Sequence, residues 1–224
     1  IFMHQNLKQL NQIKSKVNEI VTQKQLKINP NVIVVTKTFS MEKITPIIES
    51  GHIHYGENKI QEAEFKWLPI KHKYKNLQLH MVGKLQSNKA KKAITLFDYI
   101  HSLDSEKLAF KIFNSQKELK KQIKLFIQVN IADENQKGGV NINNLNQFYE
   151  YCTKELSLNI VGLMCLPPMN LSATKYFAML KNLADKLYLK ELSMGMSSDF
   201  ENAVSEGATY LRIGSSIMGK RNII

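Results

Sequence analysis

A lysine follows the most apolar run in the chain. Val32-Ile33-Val34-Val35 leads through Thr36 to Lys37, whereas a strand buried on both faces is expected to close on neutral residues. A free lysine amine has a pKa near 10.4, which leaves roughly one amine in 2500 deprotonated at pH 7. Desolvation and nearby cations lower that value, and a three-unit fall corresponds to about 4 kcal/mol. An amine tuned in this way is the nucleophile that forms a Schiff base with a carbonyl. The alternative is a strand-end lysine whose stem lies on apolar surface while its head reaches water.

Two further segments gather small polar residues. Ser193-Met194-Gly195-Met196-Ser197-Ser198-Asp199 and Arg212-Ile213-Gly214-Ser215-Ser216 each place them where a strand gives way to a helical stretch. Backbone N–H groups and hydroxyls at such positions form a cup for an anion. With a strand-end lysine facing them, they point to a ligand that carries both a phosphate and a carbonyl, and pyridoxal 5'-phosphate (PLP) is such a ligand. Arg212 stands two residues before Gly214 and shares its strand face. Its guanidinium would then reach the ring nitrogen while Gly214 meets the phosphate. An arginine donating to that nitrogen keeps it unprotonated and weakens the ring as an electron sink.

These residues need a scaffold that brings strand ends together. Residues 4–24 read as an opening helix, with Leu7, Leu10, Ile13, Val17 and Ile20 at helical spacing. Strands are expected at 32–36, 52–55, 78–82, 98–102, 124–129, 160–164, 190–193 and 209–213. Helical stretches fall near 41–50, 57–68, 87–96, 104–120, 142–155, 171–188 and 199–206. Eight strands alternating with helices are the pattern of a (β/α)8 TIM-type barrel, here with an extra N-terminal helix. An open doubly wound sheet is the competing architecture. Its glycine-rich first turn is missing, because Thr36-Lys37-Thr38-Phe39 stands there. No linker or low-complexity stretch divides the chain, so residues 1–224 are read as one domain.

Composition excludes several classes of function. The chain has 224 residues, 43% hydrophobic and 22% charged, which is ordinary globular usage. No apolar run is long enough to span a bilayer, and no secretion signal opens the chain. Cys152 and Cys165 form no CxxC pair and read as buried thiols of a reducing cytoplasm. The net charge of +12 raises the question of nucleic acid. Only Arg212 and Arg221 are arginines, so the excess is lysine. The lysine runs near 87–92 and 117–121 interleave no aromatics for base stacking, and they read as solvated helix faces. His52-Ile53-His54 would suit a metal hydrolase, yet no histidine follows His101 to complete a ligand set. No metal site is expected.

The chain resembles the pyridoxal phosphate homeostasis proteins, relatives of the N-terminal barrel of alanine racemase (fold type III). VVTKT (34–38), HYGENKIQE (54–62), HMVGKLQSNK (80–89), IHSLDS (100–105), IQVNIADENQKGGV (127–140), VGLMCLPP (161–168) and LSMGMSSDFENAVSEGATYLRIGSSIMGKR (192–221) carry the resemblance in order. It implies PLP as cofactor, Lys37 as the Schiff-base lysine, and a cofactor site of Asn58, Ser193, Met194, Ser197, Arg212, Gly214 and Ser215. Within that set Ser193, Gly214 and Ser215 are phosphate ligands, Asn58 and Met194 pocket walls, and Arg212 the partner of the pyridine nitrogen. Two departures stand out: Lys84 where the family carries proline, and Asn135-Gln136-Lys137-Gly138-Gly139 in place of a serine-rich loop.

The expected function is intracellular PLP homeostasis in the cytoplasm, as a monomer that carries or buffers the cofactor without dedicated catalysis. Its partners would be PLP and PLP-dependent apoenzymes, with neither nucleic acid nor membrane. A racemase-like PLP enzyme is the alternative. Such enzymes add a second domain whose partner-subunit base faces the lysine, and this chain stops at Ile224.

Overall fold

Short β-branched runs and longer amphipathic segments alternate along the chain, and each run becomes a strand of one parallel sheet. The computed structural model describes residues 4–134, 138–168 and 172–219. Ile1-Phe2-Met3, the loop residues Asn135-Gln136-Lys137 and the terminal Lys220 and Arg221 lie outside the described residues. The strands are β1 (Asn31–Val35), β2 (His54–Glu57), β3 (Gln78–Met81), β4 (Tyr99–Leu103), β5 (Lys124–Asn130), β6 (Val140–Asn141), β7 (Ile160–Cys165), β8 (Glu191–Ser193) and β9 (Tyr210–Ile213). They are ordered β4-β3-β2-β1-β9-β8-β7-β5, and β5 pairs back onto β4. Eight parallel strands therefore close into a TIM-type barrel. The two-residue β6 lies outside this ring, paired only to β5.

Helices α1 (Gln5–Gln23), α2 (Met41–Glu49), α3 (Ile60–Lys71), α4 (Ala90–Leu96), α5 (Glu106–Leu119), α6 (Leu145–Glu150), α7 (Ala173–Lys186), α8 (Phe200–Ser205) and α9 (Ser215–Met218) surround the barrel. The extra helix α1 buries Leu10, Ile13, Val17 and Ile20, a stripe at helical spacing, and packs against α2, α8 and α9. The main apolar core lies between barrel and helices, and includes Ile44, Trp67, Leu79, Ile94, Phe97 and Phe177. A second cluster fills the barrel itself: Ile33, Val35, Tyr99, Phe126, Met164 and Tyr210. Inward-pointing side chains from alternate strands thus make a packed interior rather than a pore.

Local differences from the expected elements have physical causes. Strand β2 runs His54–Glu57 rather than 52–55, and α3 starts at Ile60 rather than 57. Glu57 can occupy a strand, wholly buried, because Lys66 of α3 meets it there. His52 consequently precedes the strand instead of sharing its face with His54. Helix α9 has only four residues and β6 only two, too short to leave a periodic pattern in sequence.

Candidate functional site

The C-terminal ends of β1, β2, β3 and β9 open onto a cavity of about 620 Å³. Its wall includes Lys37, Asn58, Ser197, Arg212, Gly214 and Ser215, with Val35, Phe39, Val82 and Leu166 as apolar lining. Six of the eight residues expected at the site are thus brought together on one surface, although they span residues 37 to 215 of the chain.

Lys37 sits on a loop clamped from below. Lys66 donates from Nζ to the Thr36 carbonyl at 2.8 Å and pairs with Glu57 Oε1 at 2.6 Å and Glu62 Oε1 at 2.8 Å. Glu57 Oε1 also accepts from the Thr36 hydroxyl at 2.6 Å and from Trp67 Nε1 at 3.0 Å. The Thr38 backbone N–H donates to Glu62, whose carboxyl is held below its ordinary pKa against burial by Lys66 and that N–H. Thr38 adopts φ +68°, a left-handed conformation uncommon outside glycine. The clamp holds both neighbours of Lys37 and leaves its side chain directed at the cavity wall.

Asn58 follows β2, and Gly83 follows β3 against it. A Cβ on Gly83 would lie 2.4 Å from the Asn58 carbonyl oxygen and 2.7 Å from its Cα. Only glycine allows the two backbones to approach so closely. Gly214 differs. A Cβ there would meet only Val35, at 3.7 Å, so packing within the chain does not require glycine. The space it leaves belongs to the cavity.

Arg212 is buried, 5% exposed, and its outlet is this cavity. Nη1 donates to Ser193 Oγ at 2.6 Å and Nη2 to the Cys165 carbonyl at 2.9 Å. Among the described residues no carboxylate pairs with it. Burial lowers its pKa from the ordinary value, yet a guanidinium stays charged at any ordinary pH. A buried cation held only by neutral acceptors suits an acceptor-bearing or anionic ligand in the cavity.

Two expected residues are not on the wall. Ser193 is fully buried, with its hydroxyl between Arg212 and His101 Nδ1 at 2.7 Å, and does not line the cavity. Met194 is fully buried in the core between barrel and helices. Strand alternation accounts for both: β8 ends at Ser193, which points to the barrel axis, and the next side chain points outward. The chain turns toward the cavity only at Met196, Ser197 and Ser198. Ser197 Oγ accepts from the Ser216 N–H at 3.2 Å, tying this loop to the start of α9.

Lys84 also lies off this wall. It lines a wider neighbouring groove of about 1020 Å³ with Lys91, Asp104, Lys107 and Lys111. Burial raises the Asp104 pKa, and Lys84 pulls it back down.

The sequence singles out only His52 and His54, as a pair too few to hold a metal. The structure instead strings His54, His80 and His101 through the barrel interior, with ring nitrogens bonded to one another. Histidines in each of three consecutive strand segments, two in HIHY and one each in QLHMV and DYIHS, are the available signal. Among the described residues no group of three or more His, Cys, Asp or Glu could hold a metal ion. No helix among them is long and apolar enough to cross a membrane.

Residues 9–222 match the family model described as alanine racemase, N-terminal domain. A pyridoxal phosphate homeostasis protein of Aquifex aeolicus is 38% identical over 197 residues, covering 83% of this chain and 85% of its own. The structure of PipY from Synechococcus elongatus PCC7942 with PLP bound is 34% identical, with a TM-score of 0.78 over 91% of this chain and 100% of that one. Alanine racemase of Clostridium difficile 630 has a TM-score of 0.71 at 12% identity and shares the fold.

Proposed function

Because this chain belongs to the family of pyridoxal phosphate homeostasis proteins, built on the alanine racemase N-terminal domain, we propose that it binds PLP in the Lys37–Arg212 cavity and acts in PLP homeostasis. One observation carries the reading: Lys37 shares a cavity with Ser197, Gly214, Ser215 and the buried Arg212, whose hydrogen bonds among the described residues go to the neutral Ser193 hydroxyl and Cys165 carbonyl. When bound, PLP supplies an aldehyde for a lysine amine and a pyridine ring that withdraws electrons. Lys37 supplies that amine, held toward the cavity by the Thr36–Glu57–Lys66 clamp. Arg212 offers its remaining N–H donors to the ring nitrogen. Gly214, Ser215 and Ser197 offer N–H groups, a hydroxyl and open space to the phosphate, while Asn58, Phe39 and Leu166 exclude water from the ring.

The same wall favours a carrier over a dedicated catalyst. Among the described residues lining the cavity, Lys37 and Arg212 are the ionisable side chains, and the guanidinium stays charged at any ordinary pH. Racemisation through two bases needs a second base on the opposite face of the ring. We assign Lys37 the role of a reversible tether, PLP-dependent apoenzymes the role of recipients, and the cytoplasm as the compartment. The protein is read as a monomer of one domain.

The test is direct. The protein is loaded with PLP, reduced with borohydride, digested and mapped by mass spectrometry, in parallel with Lys37→Ala. A single phosphopyridoxyl group on Lys37, absent from the variant, is the expected result. Label spread over surface lysines overturns the reading. Turnover of amino acids at enzyme-like rates by the loaded protein overturns the carrier role.

A further inference from the structure

Three imidazoles cross the barrel interior in single file and end at Arg212. His54 opens β2 at the N-terminal end of the barrel, opposite Lys37, where it is half-buried and lines a cavity of about 330 Å³ with Lys14 and His52. His54 Nδ1 lies 2.9 Å from His80 Nε2, and His80 Nδ1 lies 2.9 Å from His101 Nε2. His101 Nδ1 is 2.7 Å from Ser193 Oγ, which accepts from Arg212 Nη1 at 2.6 Å. The line joins β2, β3, β4, β8 and β9, and it is walled by apolar and aromatic groups. His101 stacks on Phe126 with ring centres 4.3 Å apart, and His80 stacks on Tyr99 at the same distance.

Hydrogen-bond satisfaction gives this line a direction. Arg212 can only donate, so Ser193 Oγ accepts from it. The Ser193 hydroxyl proton then needs an acceptor, and its other partner is His101 Nδ1. That nitrogen is bare, so His101 carries its proton on Nε2 and donates to His80 Nδ1. By the same step His80 donates from Nε2 to His54 Nδ1. This arrangement leaves no buried donor in the line unpaired, whereas the reverse arrangement strands the Ser193 proton. All three rings are neutral in it, in keeping with the burial that lowers each of their pKa values.

We propose that His101 and His80 are positioning residues for Arg212: through Ser193 they fix one orientation of its guanidinium, with the remaining donors facing the cavity. The role in ligand binding rests on the reading that this cavity holds PLP; the polarity of the line does not. His101 takes the proton that would otherwise let Ser193 rotate away, and His80 fixes which nitrogen of His101 is bare. Neither imidazole lines the cavity.

Two measurements test this. In the full ligand-free chain with 15N-labelled histidine, long-range proton–nitrogen spectra at pH 7 should give the neutral Nε2–H tautomer for His80 and His101. An Nδ1–H tautomer or a doubly protonated ring at His101 overturns the proposal. The second measurement is PLP affinity in His101→Asn and His101→Gln. The Asn carbonyl falls near the Nδ1 position and still accepts from Ser193, while the Gln amide falls near Nε2 and leaves that proton unpaired. His101→Gln should raise the PLP dissociation constant about tenfold, and His101→Asn should stay within about twofold of the parent protein. Equal affinities in the two variants overturn the proposal. If neither variant folds, the tautomer measurement on the unmodified chain decides. Borohydride mapping of the unmodified chain runs alongside: failure to label Lys37 removes the cofactor reading while leaving the tautomer result intact.

Discussion

Glu57 and Lys66 meet at 2.6 Å, both buried, directly beneath the loop that carries Lys37. Removing one partner of a buried pair strands the other charge, at a cost of about 3–5 kcal/mol. Lys66→Met should therefore destabilise the fold by that order in a urea titration. It should also weaken PLP binding, because the Thr36 carbonyl loses its donor. Glu57→Gln combined with Lys66→Met should recover part of the stability. A double variant no better than Lys66→Met would show that packing, not the stranded carboxylate, sets the cost.

The pair also explains why the end of β2 is hidden in the sequence. Strands such as Val32-Ile33-Val34-Val35 were legible because β-branched residues run unbroken in a parallel sheet. The β2 boundary was not, since a glutamate inside a buried strand makes sense only once Lys66 is known to face it. Lys37, Arg212, Gly214 and Ser215 fall on strand ends that sequence alone identifies, Asn58 comes from the family resemblance, and all five line the cavity. Ser193 and Met194 missed it by one loop, because the order of motifs does not say which side of a strand end faces the axis. The imidazole line was invisible for a similar reason. His54, His80 and His101 are 26 and 21 residues apart, and only parallel register sets them side by side.

Acid should unfold the protein early. Burial, with help from nearby lysines, lowers the pKa of His52 and of His54 to about 4, and burial holds His80 and His101 well below 6.5. The unfolded chain takes up protons on these rings near pH 6.5 while the folded chain does not. Unfolding is then favoured as pH falls, so the stability they contribute is complete above about pH 7. It is lost as pH falls below about 6.5, down to about 4 for His52 and His54, at up to about 1.4 kcal/mol per pH unit for each ring. Urea midpoints at pH 7.5, 6.5, 5.5 and 5 measure this. A flat profile above pH 5, where carboxylates remain ionised, would contradict it.

The thiols should be silent in the native state. Burial pushes both Cys152 and Cys165 up to about 12, so almost no thiolate is present at pH 8. A disulfide reagent at pH 8 should register neither thiol in the folded protein and both in urea. Fast reaction of one thiol in native buffer would mean that its helix or strand opens locally.

Gly214 separates ligand space from folding requirement. Its φ of −111° is open to any residue, and a Cβ would sit 3.7 Å from Val35, an ordinary contact. Gly214→Ala should leave the unfolding midpoint nearly unchanged, within about 0.5 kcal/mol. The added methyl has nowhere to point except the cavity wall, where a phosphate would lie against the backbone N–H groups of Gly214 and Ser215. PLP affinity should therefore fall about tenfold or more, and affinity for an analogue without the phosphate should fall much less. Gly83→Ala makes the contrast, because its Cβ would enter the Asn58 backbone at 2.4 Å and must disturb folding as well. If Gly214→Ala bound PLP as tightly as the parent protein, the phosphate would have to lie elsewhere on the wall, away from the start of α9.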